Sequence, residues 1–299
     1  MKRMRLSADV AIFSAAAYAD IFEYPLTEEE LRTWLPFVNN FKRPLLTVYP
    51  ELVERQGEAL KTRVKRAAWS KEKWERAKRV VAFLRFIPTI QLVGVTGGLA
   101  MNNAKKEDDI DLFFIASCGT VWITRFLVTC AVECLGIRRI PGEKDVRNKI
   151  CLNMFVADDA LSLPKSERDF FAAHEVLQMV SLWERGAIYK KFLLANRWAE
   201  KFFPNAWEEK CRMPNAECRM KRRKKRENLF SIWHLAFSIL EPMAKVFQLW
   251  YMRRRRSTEI VTDTVIRFHP ADARIWIKKA FAKRLAKRNV PLDKIFYGR

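Results

Sequence analysis

Histidine is scarce in this chain, with 3 in 299 residues, and no two of its 6 cysteines stand in a Cys-x-x-Cys pair. A zinc ribbon or finger needs such clustered ligands, so that class is excluded as a reading of the sequence. Cys118, Cys130, Cys134, Cys151, Cys211 and Cys218 are scattered, several inside apolar runs, and read as buried free thiols in a reducing cytoplasm. A secretory leader is not expected either: Met1 to Arg5 is basic, but Asp9, Asp20 and Glu23 follow. Also wanting is an uninterrupted apolar run. The longest, Leu229 to Met252, contains His234, Glu241, Pro242, Lys245 and Gln248, whereas a membrane span needs about 20 predominantly apolar residues. Negative charge is short too. Lysine and arginine number 56 against 34 acidic residues, a formal charge of +22. A balance that basic points to a polyanionic partner, nucleic acid first and an anionic membrane surface second.

The chain does have folded composition: 49% hydrophobic and 12% aromatic residues are enough to build a core in two or three domains. A small-residue helix is expected from Ser7 to Ala19, broken by Phe22-Glu23-Tyr24-Pro25-Leu26. Thr27-Glu28-Glu29-Glu30 is a capping box, opening a helix that carries Leu31, Trp34 and Leu35 and stops before Pro36. A short element at Phe37 to Phe41 and a strand-like stretch at Leu45 to Val53 follow. That order is similar to a winged helix-turn-helix, whose role is either nucleic-acid contact or packing. From Gln56 to Phe86 the pattern is a basic helix, with Arg63, Arg66, Lys73 and Arg76 among its cations and Trp69, Trp74, Val80 and Leu84 facing a core. Its cationic face suits either a phosphate backbone or solvent.

The informative stretch comes next. Ile90 to Val95 reads as a strand, Gly97-Gly98 as a turn, and Asp109-Ile110-Asp111 opens a second strand running through Leu112-Phe113-Phe114-Ile115. Residues two apart on a strand share a face, so Asp109 and Asp111 can hold divalent metal together. Gly97 and Gly98 let backbone N–H groups come close to a phosphate. This arrangement resembles the DNA polymerase beta superfamily of nucleotidyltransferases, whose signature is an apolar strand, Gly-Gly or Gly-Ser, about ten residues, then Asp-x-Asp among apolar neighbours. The resemblance implies transfer of a nucleoside monophosphate from an NTP to an acceptor hydroxyl. Asp109 and Asp111 would be the catalytic pair holding Mg2+ or Mn2+, and Gly97 and Gly98 would steady the triphosphate. Lys105, Lys106 and Arg125 are candidates for added charge on it.

Thr120 is expected to cap a helix ending near Leu135, with Gly136 as its stop, and Ile150 to Val156 to form a third strand. Here the pattern departs from the superfamily. A third Asp or Glu belongs in that strand, flanked by apolar residues; Leu152 and Met154 flank Asn153 instead. Asn153 is the candidate third metal ligand, one neutral oxygen in place of a carboxylate, with Glu143, Asp145, Asp158 and Asp159 as nearby substitutes.

Beyond Ser166 the pattern reads as helices, including Glu167 to Trp183 with His174, Tyr189 to Phe203, and Ala273 to Lys287. Arg219 to Arg226 has only Met220 uncharged, and Arg253 to Arg256 is all arginine. Between them, Leu229 to Met252 reads as a heavily packed core helix with a narrow polar stripe, kinked or interrupted at Pro242, or as an interfacial membrane helix. The His269-Pro270 pair either begins the last helix or orients a site residue. The expected class is α+β: a winged-helix-like domain at 1–66, a nucleotidyltransferase domain with a small mixed β-sheet at 67–165, and a basic helical domain at 166–299. RNA is the leading acceptor, ahead of DNA. Two alternatives stand beside the enzyme: a catalytically inactive protein of the same fold binding nucleotide or nucleic acid as a sensor or adaptor, and a winged-helix regulator.

Overall fold

The runs Ile90–Val95 (β1) and Ile110–Ala116 (β2) are almost wholly apolar, the pattern of strands buried on both faces, and they pair antiparallel at the centre of one sheet. In this computed structural model, which describes residues 6–39, 41, 56–140, 142–212, 227–253, 260–267 and 273–298, the sheet has six strands. Ile150–Ala157 (β3) lies parallel to β2, and Val180–Glu184 (β4) lies antiparallel to β1 on the other side. Ile260–Val261 (β5) and Val265–Arg267 (β6) extend the β3 edge, giving the order β4-β1-β2-β3-β6-β5. The protein is thus a mixed α+β fold around one mixed sheet.

Helices cover both faces. Ala8–Ile21 (α1) and Glu28–Thr33 (α2) come first, and the expected capping box at Thr27 and Glu30 forms with both of its hydrogen bonds. Gln56–Leu84 (α3) is one 29-residue helix that runs through the expected boundary at 66/67. Gly97–Ala100 (α4) follows β1, and Val121–Cys134 (α5) makes the crossover from β2 to parallel β3. Then come Phe170–Gln178 (α6), Ile188–Ala195 (α7), Pro204–Arg212 (α8), Glu227–Met252 (α9), Ala273–Leu285 (α10) and Leu292–Phe296 (α11). On one sheet face, Leu112, Phe114 and Phe155 pack with Val80 and Leu84 of α3 and Trp122 and Val128 of α5. On the other, Phe113, Ile115 and Val156 join Tyr18 and Trp34 from the N-terminal helices and Phe281 from α10. One core therefore draws on all three expected segments.

Several expectations change. The reading of the chain after Ser166 as helices is corrected, because β4 occupies the end of the expected Glu167-to-Trp183 helix and β5 and β6 lie farther on. Val180–Glu184 is half-buried and includes Val180 and Trp183, and it gains an antiparallel ladder on β1 that skips Leu182 at a register shift. Thr120 does not cap α5; its hydroxyl donates to the Ser117 carbonyl at 2.7 Å, and Glu241 of α9 accepts from the N–H groups of Trp122 and Ile123 instead. Gly136 does end that helix, with φ +64°. Cys118, Cys130, Cys134 and Cys211 are exposed rather than buried. α9 passes Pro242 without interruption. The expected strand at Leu45 to Val53, the block Arg219 to Arg226 and the His269-Pro270 pair lie outside the described residues.

Candidate active site

The site grows from the turn after β1. Gly97 holds φ +67°, and a Cβ built there would sit 2.8 Å from Asp111 Oδ2. A side chain of any size would collide with that carboxylate, and the positive φ disfavours one further. The turn and the Asp-x-Asp strand therefore meet at contact distance. Thr96, Gly97, Gly98, Asp111 and Asn153 line one wall of a cavity of about 1000 Å³ on the sheet face shared with α1, α6 and α10.

What delivers the carboxylates is the connection between turn and strand, and α3 holds it. Lys73 is 1% exposed, and its ammonium donates to the carbonyls of Lys106 (3.2 Å) and Asp108 (2.6 Å) and to Asn148 Oδ1 (2.8 Å). Three donors meet three acceptors, the full capacity of an ammonium. Burial still holds its pKa below the ordinary lysine range. One turn away, Ser70 Oγ accepts from Ala104 N–H at 3.1 Å, and Trp74 Nε1 donates to Asn102 Oδ1 at 2.7 Å. Arg66, buried, donates to Asn103 Oδ1 and to the Phe22 carbonyl, and Arg63 makes a bidentate pair with Glu30 at 2.7 and 2.8 Å. Much of the expected cationic face of this helix is thus turned inward as structural anchors, leaving Lys65, Lys71, Lys78 and Arg79 exposed.

Asp109, Asp111 and Cys151 bring one ligand atom each within 4.8 Å of one another. Asp111 and Cys151 are direct partners across β2 and β3, and the thiol donates to the Asp111 carboxylate. Burial pushes the Asp111 carboxyl up to about 7, with the Asp109 charge adding to it. Burial and both carboxylates push the Cys151 thiol far up, so it is a neutral S–H. Arg139 donates to Asp109 at 2.7 Å. The two aspartates fit a hard divalent cation, which would relieve their mutual repulsion, whereas a neutral thiol does not. Asn153 Oδ1, on the same cavity wall as Asp111, is a harder ligand atom than the thiol, and it is buried with no hydrogen-bond partner, while Nδ2 makes a 3.4 Å contact with Thr96 Oγ1. Its strand position is displaced from simple pairing because the β2–β3 register shifts between Leu112 and Phe113.

The other expected residues separate. Lys105 and Lys106 are exposed on the connecting turn, and neither lines the cavity. Arg125 donates to Gln248 of α9 and does not line the cavity either. None of the four suggested substitute acids joins the aspartate cluster. Glu143 pairs with Lys149, Asp145 accepts from Arg147 N–H, and Asp158 and Asp159 accept from the Cys118 N–H and thiol.

Sequence reasoning missed Glu175. It reaches the cavity wall from α6, where burial first and the Asp111 charge second push its carboxyl up to about 7. A lone carboxylate in the apolar run Phe170-Phe171-Ala172-Ala173-His174-Glu175-Val176-Leu177 was its one signal. The neighbouring His174 is a core residue: its ring stacks between Tyr18 at 4.2 Å and Trp34 at 4.7 Å, and burial drives its pKa well down.

Comparison of the chain with protein-family models, with curated proteins and with solved structures found no match in any of the three.

Proposed function

We propose that this chain carries a nucleotidyltransferase-type site, which transfers a nucleoside monophosphate from an NTP to an acceptor hydroxyl. One observation carries the reading: the Gly97 turn lies against the Asp111 carboxylate, so a backbone surface suited to phosphate and the second carboxylate of the Asp-x-Asp pair face one cavity. Asp109 and Asp111, with Asn153 Oδ1 as a neutral third oxygen, are the residues that would hold Mg2+ or Mn2+. Bound there, the ions would lower the pKa of the attacking hydroxyl and neutralise the triphosphate. Gly97 and Gly98 keep side chains away from the phosphates. Glu175, titrating about 7 on the same wall, is the group we assign to take the acceptor's proton. The formal charge of +22 favours RNA as the acceptor. We also keep the division into a winged-helix-like part, a transferase part and a basic helical part as part of this proposal.

The test incubates the protein with each α-labelled NTP, Mg2+ or Mn2+ and total RNA. Asp111→Asn and Asp109→Ala should each lower label transfer by at least about a hundredfold, since even residues that only orient metal ligands cost 10- to 100-fold. Transfer that survives both substitutions would overturn the mechanism. A second reading, nucleotide binding without transfer, is favoured by the Arg139–Asp109 pair and by Asn153 in place of an acid. It predicts saturable NTP binding, lost in Asp111→Asn, with no labelled product under any condition.

A further inference from the structure

Helix α9 is built inside out. Its polar stripe faces the protein: Glu241 accepts from Trp122 N–H at 2.8 Å and Ile123 N–H at 2.7 Å. Gln248 is 4% exposed, and its amide donates to the carbonyls of Trp122 and Ala244 and accepts from Arg125. Its apolar stripe faces away. Ile239, Met243, Val246 and Trp250 are 67–69% exposed, and Leu240, Phe247 and Tyr251 stand beside them at 43–50%. These residues recur at intervals of three and four, so they form one continuous band along the helix. A band of large apolar side chains that size marks a contact surface.

We propose that this face docks on an anionic lipid surface, with the helix lying parallel to it. Charge argues for lipid as the occupant. The helix is preceded in sequence by Arg219 to Arg226, with Met220 the one uncharged residue, and followed by Arg253 to Arg256. An apolar band between two polybasic runs is the composition that binds acidic headgroups while burying side chains at the acyl boundary. A second copy of this chain would bring the same cations against each other, which opposes that pairing. Trp250 and Tyr251 sit at the end of the band next to Arg253, where amphipathic aromatic rings suit the headgroup level. Among the described residues no helix is long and apolar enough to cross a membrane, so the mode is peripheral. This inference is independent of the transferase reading.

Flotation with vesicles of phosphatidylcholine alone, and of phosphatidylcholine with about one third phosphatidylglycerol, tests it. The full chain should float with the acidic vesicles and stay below with the neutral ones. The triple variant Met243→Glu/Val246→Glu/Trp250→Glu should bind the acidic vesicles at least tenfold more weakly, while circular dichroism and urea midpoint stay at wild-type values. Binding that the triple variant retains in full would assign the effect to the basic runs alone and overturn the proposal. So would a wild-type protein that floats with neither vesicle, including one that light scattering shows to be a dimer broken by the same substitutions.

Discussion

Strand β2 and helix α9 both set polar residues into long apolar runs, and the two solve the burial of those residues in opposite ways. In β2, alternate side chains pack into the two cores, and Asp111 interrupts the cavity-side row beside Phe113 and Ile115. Its carboxylate has a thiol, a neighbouring carboxylate and open space before it, and burial with the Asp109 charge pushes it up to about 7. In α9, the inward polar groups each meet fixed partners: Glu241 two backbone N–H groups, Gln248 two backbone carbonyls and the Arg125 guanidinium. A buried polar group without a partner costs free energy, so one that persists is either matched or functional. Glu241 and Gln248 are matched. Asp111 has a side-chain donor no stronger than the Cys151 thiol, and that contrast is why we place the proposed chemistry at β2 rather than α9.

The contrast breaks most readily at the scaffold behind β2. Lys73→Met keeps most of the side chain and removes its ammonium, leaving the Lys106 carbonyl and the Asn148 amide oxygen without their donor and the Asp108 carbonyl with the Asn148 N–H alone. The expected loss is about 3 kcal/mol, read from the urea midpoint, given that one unsatisfied buried acceptor costs roughly 1–3 kcal/mol. Because these acceptors fix the turn that leads into Asp109, NTP binding should weaken in the same variant at temperatures where it remains folded. A stable Lys73→Met protein would show that the turn is held by its own sequence.

On the α9 side, Glu241→Ala removes the acceptor of the first turn of α5 and leaves the Trp122 and Ile123 N–H groups without it. The loss should be about 1–2 kcal/mol, the range for helix caps. Burial holds the Glu241 carboxyl above the ordinary carboxylate range, against the pull of its two backbone donors. Denaturation of Glu241→Ala and of Thr120→Ala, side by side, identifies the cap. Thr120→Ala should cost less, since its hydroxyl donates to the Ser117 carbonyl and not to the helix N-terminus, and the bond from the Thr124 hydroxyl goes to the Thr120 carbonyl, which alanine keeps.

A pH series separates a functional carboxyl from a matched one. Glu175 titrates about 7 in the folded chain and about 4.3 when unfolded. The folded state therefore holds that proton more tightly, so this contribution to stability is fully present below about pH 4 and is lost as pH rises through about 7. Between pH 5 and pH 8, in the presence of a chelator, the wild type should lose stability and Glu175→Gln should lose less. Equal slopes for the two proteins would remove Glu175 from the list of buried acids.

How much of this was legible in the sequence follows from the range of the interactions. The strands β1, β2 and β3, the Thr27 capping box and the Gly136 stop rest on neighbours within a few residues, and all were readable. So was the meeting of Gly97 with Asp111, because a turn and the next strand are joined by a short connection. The inward use of Arg63, Arg66 and Lys73 was not, since their acceptors lie on distant stretches of chain and a lysine on a helix looks the same whichever way it faces. Asp111 stands opposite Cys151, and the register shift after Leu112 leaves Asn153 without a direct partner on β2, which no local pattern announces. Strand β4 follows α6 without a glycine or proline to mark the change, and Glu175 belongs to a helix contributed from beyond the sheet's first three strands.

The orientation of α9 shows the limit most directly. Periodicity gives the width of a stripe on a helix and says nothing about which stripe is buried. The apolar side was the obvious candidate for the core, yet Ala244, Gln248 and Met252 are the buried residues and Met243, Val246 and Trp250 the exposed ones. Substitution to glutamate at those three exposed positions should therefore shift folding stability by no more than roughly 0.5 kcal/mol each, the range of ordinary surface changes. Were the apolar band part of a core, the same three changes would each bury a charge and the protein would not fold. Gln248→Leu inverts the test: it adds apolar volume on the buried side, where pattern alone would welcome it, yet it removes an acceptor of the Arg125 guanidinium and a donor to the Trp122 and Ala244 carbonyls and should lower the urea midpoint more than any of the three glutamates.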